Sequence, residues 1–118
     1  MKNRPFLQRL RHALHGGWYA FQRENSLRTQ VLLAGAGSLW LLGWQASATH
    51  WLLFALASAL MLAAELFNSA IEALCDHLHP ERHPAIGRIK DMAAAAVLIT
   101  TLPFVLSLLA PLWVYIGS

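Results

Sequence analysis

The chain holds 118 residues, 57% of them hydrophobic and only 13% charged, with a formal net charge of +3 and a mean hydropathy of +0.45. This length allows one domain, and a soluble domain of this size has too little interior to hide so much apolar surface. The pI of about 9.6 does not signal nucleic acid, because the nine Lys and Arg residues flank apolar runs instead of lining one soluble face.

Residues 5–27 read as an amphipathic surface helix. Phe6, Leu7, Leu10, Leu14, Trp18 and Phe21 recur at helical spacing, with Arg9, Arg11, His12, His15 and Arg23 between them. Gly16-Gly17 is a place for a bend. The segment holds no continuous apolar core and no small-residue cleavage site, so no removable signal peptide is expected.

Three uncharged or nearly uncharged stretches follow, and a helix needs roughly 20 apolar residues to cross the hydrocarbon core. Spans are predicted at about 29–48, 51–76 and 88–116. The second reaches full length only if Glu65, Asn68 and Glu72 are accepted inside it. Pro80 and Pro84 punctuate the loop before the third span, and Pro103 and Pro111 fall within that span as possible kinks. The expected fold is therefore all-α and integral to the membrane: a surface helix plus three transmembrane helices in one domain, 1–118.

Lys2, Arg4, Arg9, Arg11, Arg23 and Arg28 precede the first span, while Arg82, Arg88 and Lys90 lie between the second and third. The link near Ala46–His50 has no Lys or Arg. Positive loops stay in the cytoplasm, which places the N-terminus and the second loop there. Trp40, Trp44, Trp51, Trp113 and Tyr115 then fall near the opposite interface, where aromatic rings are favoured. Cys75 is the only cysteine, so no intramolecular disulfide can form, and it reads as a small buried residue.

Chemistry concentrates in the second span. Glu65, Asn68, Glu72 and Asp76 follow one another at i, i+3, i+7 and i+11, which puts them in a stripe along one face of a helix. Ser69 adds a hydroxyl beside them. Ionisable groups within a membrane are costly and mark functional sites. A carboxylate withdrawn from water and set beside another takes up a proton more readily, which suits it to act as a base. A divalent cation would offset the repulsion, since Mg²⁺ is commonly held by one or two carboxylates plus substrate phosphates.

Gly87-Arg88-Ile89-Lys90-Asp91-Met92 opens the third span at the level of Glu72 and Asp76. Lys90 is a point charge suited to a triphosphate, Asp91 can orient it or accept from a nucleotide, and Glu24 before the first span offers another carboxylate to a metal. His77, His79 and His83 match no established zinc spacing and read as solvated loop residues. No Gly-x4-Gly-Lys phosphate loop or kinase glycine loop is present, so any ATP site is built another way.

The run Ala64-Glu65-Leu66-Phe67-Asn68-Ser69-Ala70-Ile71-Glu72-Ala73-Leu74-Cys75-Asp76 resembles the signature of the prokaryotic diacylglycerol kinase family. Gly87 to Leu98 resembles its second block, and Glu24 and Arg28 stand where the family has an acid and an arginine before its first span. The resemblance covers roughly residues 12–100. It implies a homotrimer of three-span subunits, each with a surface helix, in the bacterial cytoplasmic membrane. It also implies transfer of the γ-phosphoryl of MgATP to a lipid alcohol. By the same resemblance Glu65 is the general base, and Glu24 and Glu72 hold the metal. Asn68, Glu72, Asp76, Lys90 and Asp91 position the nucleotide, with Glu81 and His83 at its base end. Arg28, Gln30, Glu65 and Ala94 lie by the lipid.

Gln30 replaces a glutamate found in enterobacterial members, Ala94 replaces a glycine or small polar residue, and His12 stands where a tyrosine is expected. These departures leave the acceptor open between diacylglycerol, the first choice, and undecaprenol. A proton-coupled transporter using Glu65 or Glu72 is the alternative of a different class, but it has no use for Lys90-Asp91 or Glu24.

Overall fold

The computed structural model describes residues 3–118; Lys2, one of the basic residues that set the expected orientation, lies outside them. Four helices follow in chain order: α1 (Phe6–Arg23), α2 (Asn25–Gly43), α3 (Ala48–Leu78) and α4 (Pro84–Gly117). Among the described residues there is no strand. Of the four, α3 and α4 are long and apolar enough to cross a membrane. At 1.5 Å per residue, α4 is about 50 Å long, which accounts for most of the molecule's 54 Å length.

Helix boundaries differ from the expected segments: α3 and α4 begin at Ala48 and Pro84, three and four residues early, and the first two helices differ more. The first helix ends at Arg23 rather than near residue 27, and it runs straight through Gly16-Gly17. The break falls instead at Glu24, whose backbone is extended (φ −105°, ψ 112°). Arg28 explains why that break persists. Its guanidinium donates to Phe21 O at 2.9 Å, to Gln22 O at 2.6 Å and to Asn25 Oδ1. Carbonyls orphaned at the end of α1 are thereby satisfied by a side chain from the next helix. Consequently α2 begins at Asn25, four residues before the expected span, and stops at Gly43, five short of its expected end.

That early stop has a local cause. Gln45 adopts the left-handed conformation (φ 52°). Its N–H donates to Leu42 O, and the next N–H, of Ala46, reaches back to Leu41 O, both at 3.0 Å. This pair of bonds is the Schellman closure of a helix, and Ala46 completes it by packing on the cluster that contains Leu41. Two residues later Ser47 caps α3 by accepting from His50 N at 3.3 Å. His83 does the same for α4, accepting from Ala85 N at 3.1 Å, with Pro84 in the first helical position.

α3 and α4 form the main packed pair, with α2 laid against them and α1 touching α2 and α3. The buried cluster is small: Leu41, Phe54, Ala57, Met61 and Phe104. Gly37 lets α2 approach it closely, because a Cβ there would lie 2.8 Å from Phe54 Cε1 and 2.9 Å from Leu108 Cδ2. Trp40 ties α2 to α4 through its indole N–H, which donates to Leu108 O at 2.8 Å. Much of the remaining apolar surface faces outward, including Leu52, Leu56 and Leu60 on α3 and Leu98, Leu102 and Leu106 on α4. Such a surface is stable in hydrocarbon and an aggregation liability in water. Both Pro103 and Pro111 lie within an unbroken α4.

Candidate functional site

Glu65 lies midway along α3 and is 4% exposed. Two residues of α2 reach its carboxylate: Ser26 Oγ donates to Oε1 at 2.5 Å, and Gln30 Nε2 donates to Oε2 at 3.4 Å. Among the described residues no Lys or Arg pairs with it. Both of these contacts to the buried carboxylate come from neutral donors.

One turn on, Asn68 Nδ2 donates to Glu72 Oε1 at 3.4 Å, while Asn68 Oδ1 is buried without a hydrogen-bond partner. Ser69, beside them, is buried as well. At the end of the stripe Asp76 Oδ1 accepts from Lys90 Nζ at 2.6 Å, linking α3 to α4. This places Lys90 on Asp76 rather than on its sequence neighbour Asp91, which is exposed and makes no side-chain hydrogen bond among the described residues. Glu65 and Glu72 are seven residues apart, about 10 Å along the axis.

The loop after α3 adds a cleft of about 220 Å³, bordered by Glu81, His83, Gly87 and Lys90. His79 lies edge-on to His83 at 5.6 Å between ring centres, and its Nδ1 is 3.0 Å from Glu81 O. Beside Asn68, a second cleft of about 300 Å³ opens between α3 and α4 and is walled by apolar residues such as Leu60, Phe67 and Ala96. A third, of similar volume, lies between α1 and α3 and is bordered by Glu24, Tyr19 and Ser69.

The remaining predicted residues are distributed unevenly. Gln30 reaches Glu65, but Arg28 is turned to the end of α1. Ala94 is exposed on α4. Glu24 borders the α1–α3 cleft, on which Glu72 does not border. Among the described residues no three His, Cys, Asp or Glu side chains gather tightly enough to hold a metal by themselves. The available donors nevertheless suit a hard cation. Glu72 and the unpartnered Asn68 Oδ1 are oxygen ligands, and Mg²⁺-type sites need only one or two carboxylates when phosphates complete the shell. Ser26 is the contact that the sequence reading missed. Its spacing of four residues from Gln30 puts both on one face of α2, which was the available signal.

These features define an all-helical protein with bilayer-length apolar helices and a polar line that runs from a buried carboxylate to a lysine. Residues 11–112 match the family described as prokaryotic diacylglycerol kinase. The chain is 37% identical over 98 residues to the diacylglycerol kinase of Escherichia coli, covering 83% of this chain and 75% of that one. The Shigella flexneri diacylglycerol kinase gives the same figures, 37% over 98 residues. A shorter match, 48% over 40 residues and 34% of each chain, links it to the diacylglycerol kinase of Haemophilus influenzae. The chain belongs to the prokaryotic diacylglycerol kinase family. It is accordingly a kinase of lipid metabolism, an activity that requires a nucleotide and a metal ion.

Proposed function

We propose that the protein transfers the γ-phosphoryl of MgATP to diacylglycerol, giving phosphatidic acid. The observation that carries this reading is Glu65, a carboxylate 4% exposed in an apolar helix and, among the described residues, hydrogen-bonded at its side chain only by Ser26 and Gln30. It takes the proton of the lipid's primary hydroxyl, and the oxygen attacks the γ-phosphorus as ADP leaves. The apolar cleft beside Asn68, between α3 and α4, offers room for an acyl chain. Arg28, Gln30 and Ala94 border the lipid's path on α2 and α4.

On the nucleotide side, Lys90 meets the phosphates as a point charge, steadied by Asp76. Asn68, Glu72 and Asp91 complete the phosphate end, and Glu81 and His83 border the cleft suited to the base. Glu72, with Asn68 Oδ1 beside it, would hold Mg²⁺, and Glu24 would add a carboxylate from the α1–α2 junction; the ion would neutralise charge on the transferring phosphoryl group. Catalysis then rests mainly on positioning within a site that excludes water.

In this reading α1 lies on the cytoplasmic surface with Phe6, Leu7, Leu10 and Leu14 toward lipid. Helices α2, α3 and α4 cross the bacterial cytoplasmic membrane, with the N-terminus inside, and the working unit is a homotrimer. The test is an assay of the purified protein in mixed micelles with γ-labelled ATP, Mg²⁺ and a dioleoyl diacylglycerol, run beside undecaprenol. Labelled phosphatidic acid is the expected product. Phosphorylation of undecaprenol alone would overturn the choice of acceptor, and labelling of neither lipid would overturn the kinase mechanism.

A further inference from the structure

Both oxygens of Glu65 are contacted from α2, but unequally. Ser26 Oγ is 2.5 Å from Oε1, whereas Gln30 Nε2 is 3.4 Å from Oε2. The first separation is at the short, strong end for a hydroxyl on a carboxylate, and the second lies beyond the usual range for an amide donor. Oε1 is therefore committed and Oε2 is not. Gln30 Oε1 is itself buried without a partner, so nothing on its other side pins the amide against Oε2.

We propose that Ser26 is a positioning residue for the phosphoryl-transfer reaction: its hydroxyl locks Glu65 by Oε1 and leaves Oε2 as the oxygen that receives the acceptor's proton. The inference rests on Glu65 being the base. In the step itself, the lipid O–H proton moves to Oε2 and a bond forms between the lipid oxygen and the γ-phosphorus. The bond from that phosphorus to the ADP oxygen breaks, and ADP departs with its electron pair. Without the Ser26 hydroxyl the carboxylate can rotate, and fewer encounters present an oxygen aligned with the acceptor. Ser26 is exposed in the first turn of α2, so truncation to alanine removes the hydroxyl with little loss of packing.

The test measures steady-state kinetics of full-length S26A, S26T and E65Q in mixed micelles with diacylglycerol and MgATP. Expected for S26A is a kcat lower by about 10-fold or more, the size set by losing a hydrogen bond to a charged group. KM for lipid and for ATP stays near the parent values, and S26T, which keeps the hydroxyl, recovers most of the rate. An S26A rate equal to the parent's, a loss confined to KM, or an S26T as slow as S26A overturns the inference. E65Q separates the two readings. If E65Q is inactive while S26A is normal, only the role of Ser26 fails; if E65Q turns over normally, the assignment of the base fails first.

Discussion

Lys90 Nζ lies 2.6 Å from Asp76 Oδ1, joining the first turns of α4 to the last carboxylate of the α3 stripe. The pair is half-exposed, so its worth to folding is small; under the proposed function it aims a cation at the cleft that Lys90 borders. Lys90→Ala should raise KM for MgATP by about 10-fold or more, as expected for losing a charge-assisted contact to phosphate. Asp76→Asn should act in the same direction but more weakly, because the ammonium remains. Initial-rate kinetics against ATP at saturating lipid check both.

Glu65→Gln keeps the shape of the site and the capacity to accept from Ser26 but cannot take a proton. Turnover should fall by about 10² to 10⁴, the range for a general base. Binding of a non-hydrolysable ATP analogue should be unchanged, since Glu65 lies about 10 Å along α3 from Glu72. Near-normal turnover would remove Glu65 from the role of base.

Gly37 and Gly35 make a contrasting pair on α2. A Cβ at Gly37 meets the Phe54 ring at 2.8 and 3.1 Å, and that ring is itself packed on Trp51 and Phe104. Gly37→Ala should therefore destabilise the fold by about 1–3 kcal/mol through overpacking. At Gly35 nothing lies within 4 Å, and Gly35→Ala should be neutral or stabilising by up to about 1 kcal/mol. Unfolding midpoints in detergent micelles compare the two directly.

Gln45 carries the only positive φ among the described non-glycine residues, 52°. A side chain in that conformation costs about 1–2 kcal/mol that glycine avoids. Gln45→Gly should keep both closing bonds of α2 and raise stability by roughly 0.5–1 kcal/mol, seen as a higher thermal midpoint with unchanged activity.

Arg28 gives the junction of α1 and α2 its own test. Removing a side chain that satisfies Phe21 O and Gln22 O should loosen α1 before it affects the α3–α4 pair. Arg28→Ala should speed amide exchange across residues near Glu24 while leaving exchange in α3 nearly unchanged.

Much of this protein is written in local pattern. Apolar length alone announces α3 and α4, since a continuous helix satisfies its own backbone in hydrocarbon. Spacing alone aligns Glu65, Asn68, Glu72 and Asp76, because a helix repeats its faces every three to four residues. What the pattern lacks is distance between helices. The break at Glu24 carries no proline or glycine and is held by Arg28 reaching back over it, so helix α1 ends earlier than its periodicity suggests. The partners of the stripe likewise depend on packing: Lys90 settles on Asp76 rather than Asp91, and Ser26 on Glu65 across 39 residues of chain. Sequence determined which residues share a face and that the segments forming α3 and α4 suit a bilayer. Only the tertiary structure decided which faces meet, because a hydrogen bond requires a few tenths of an ångström that helical periodicity does not supply.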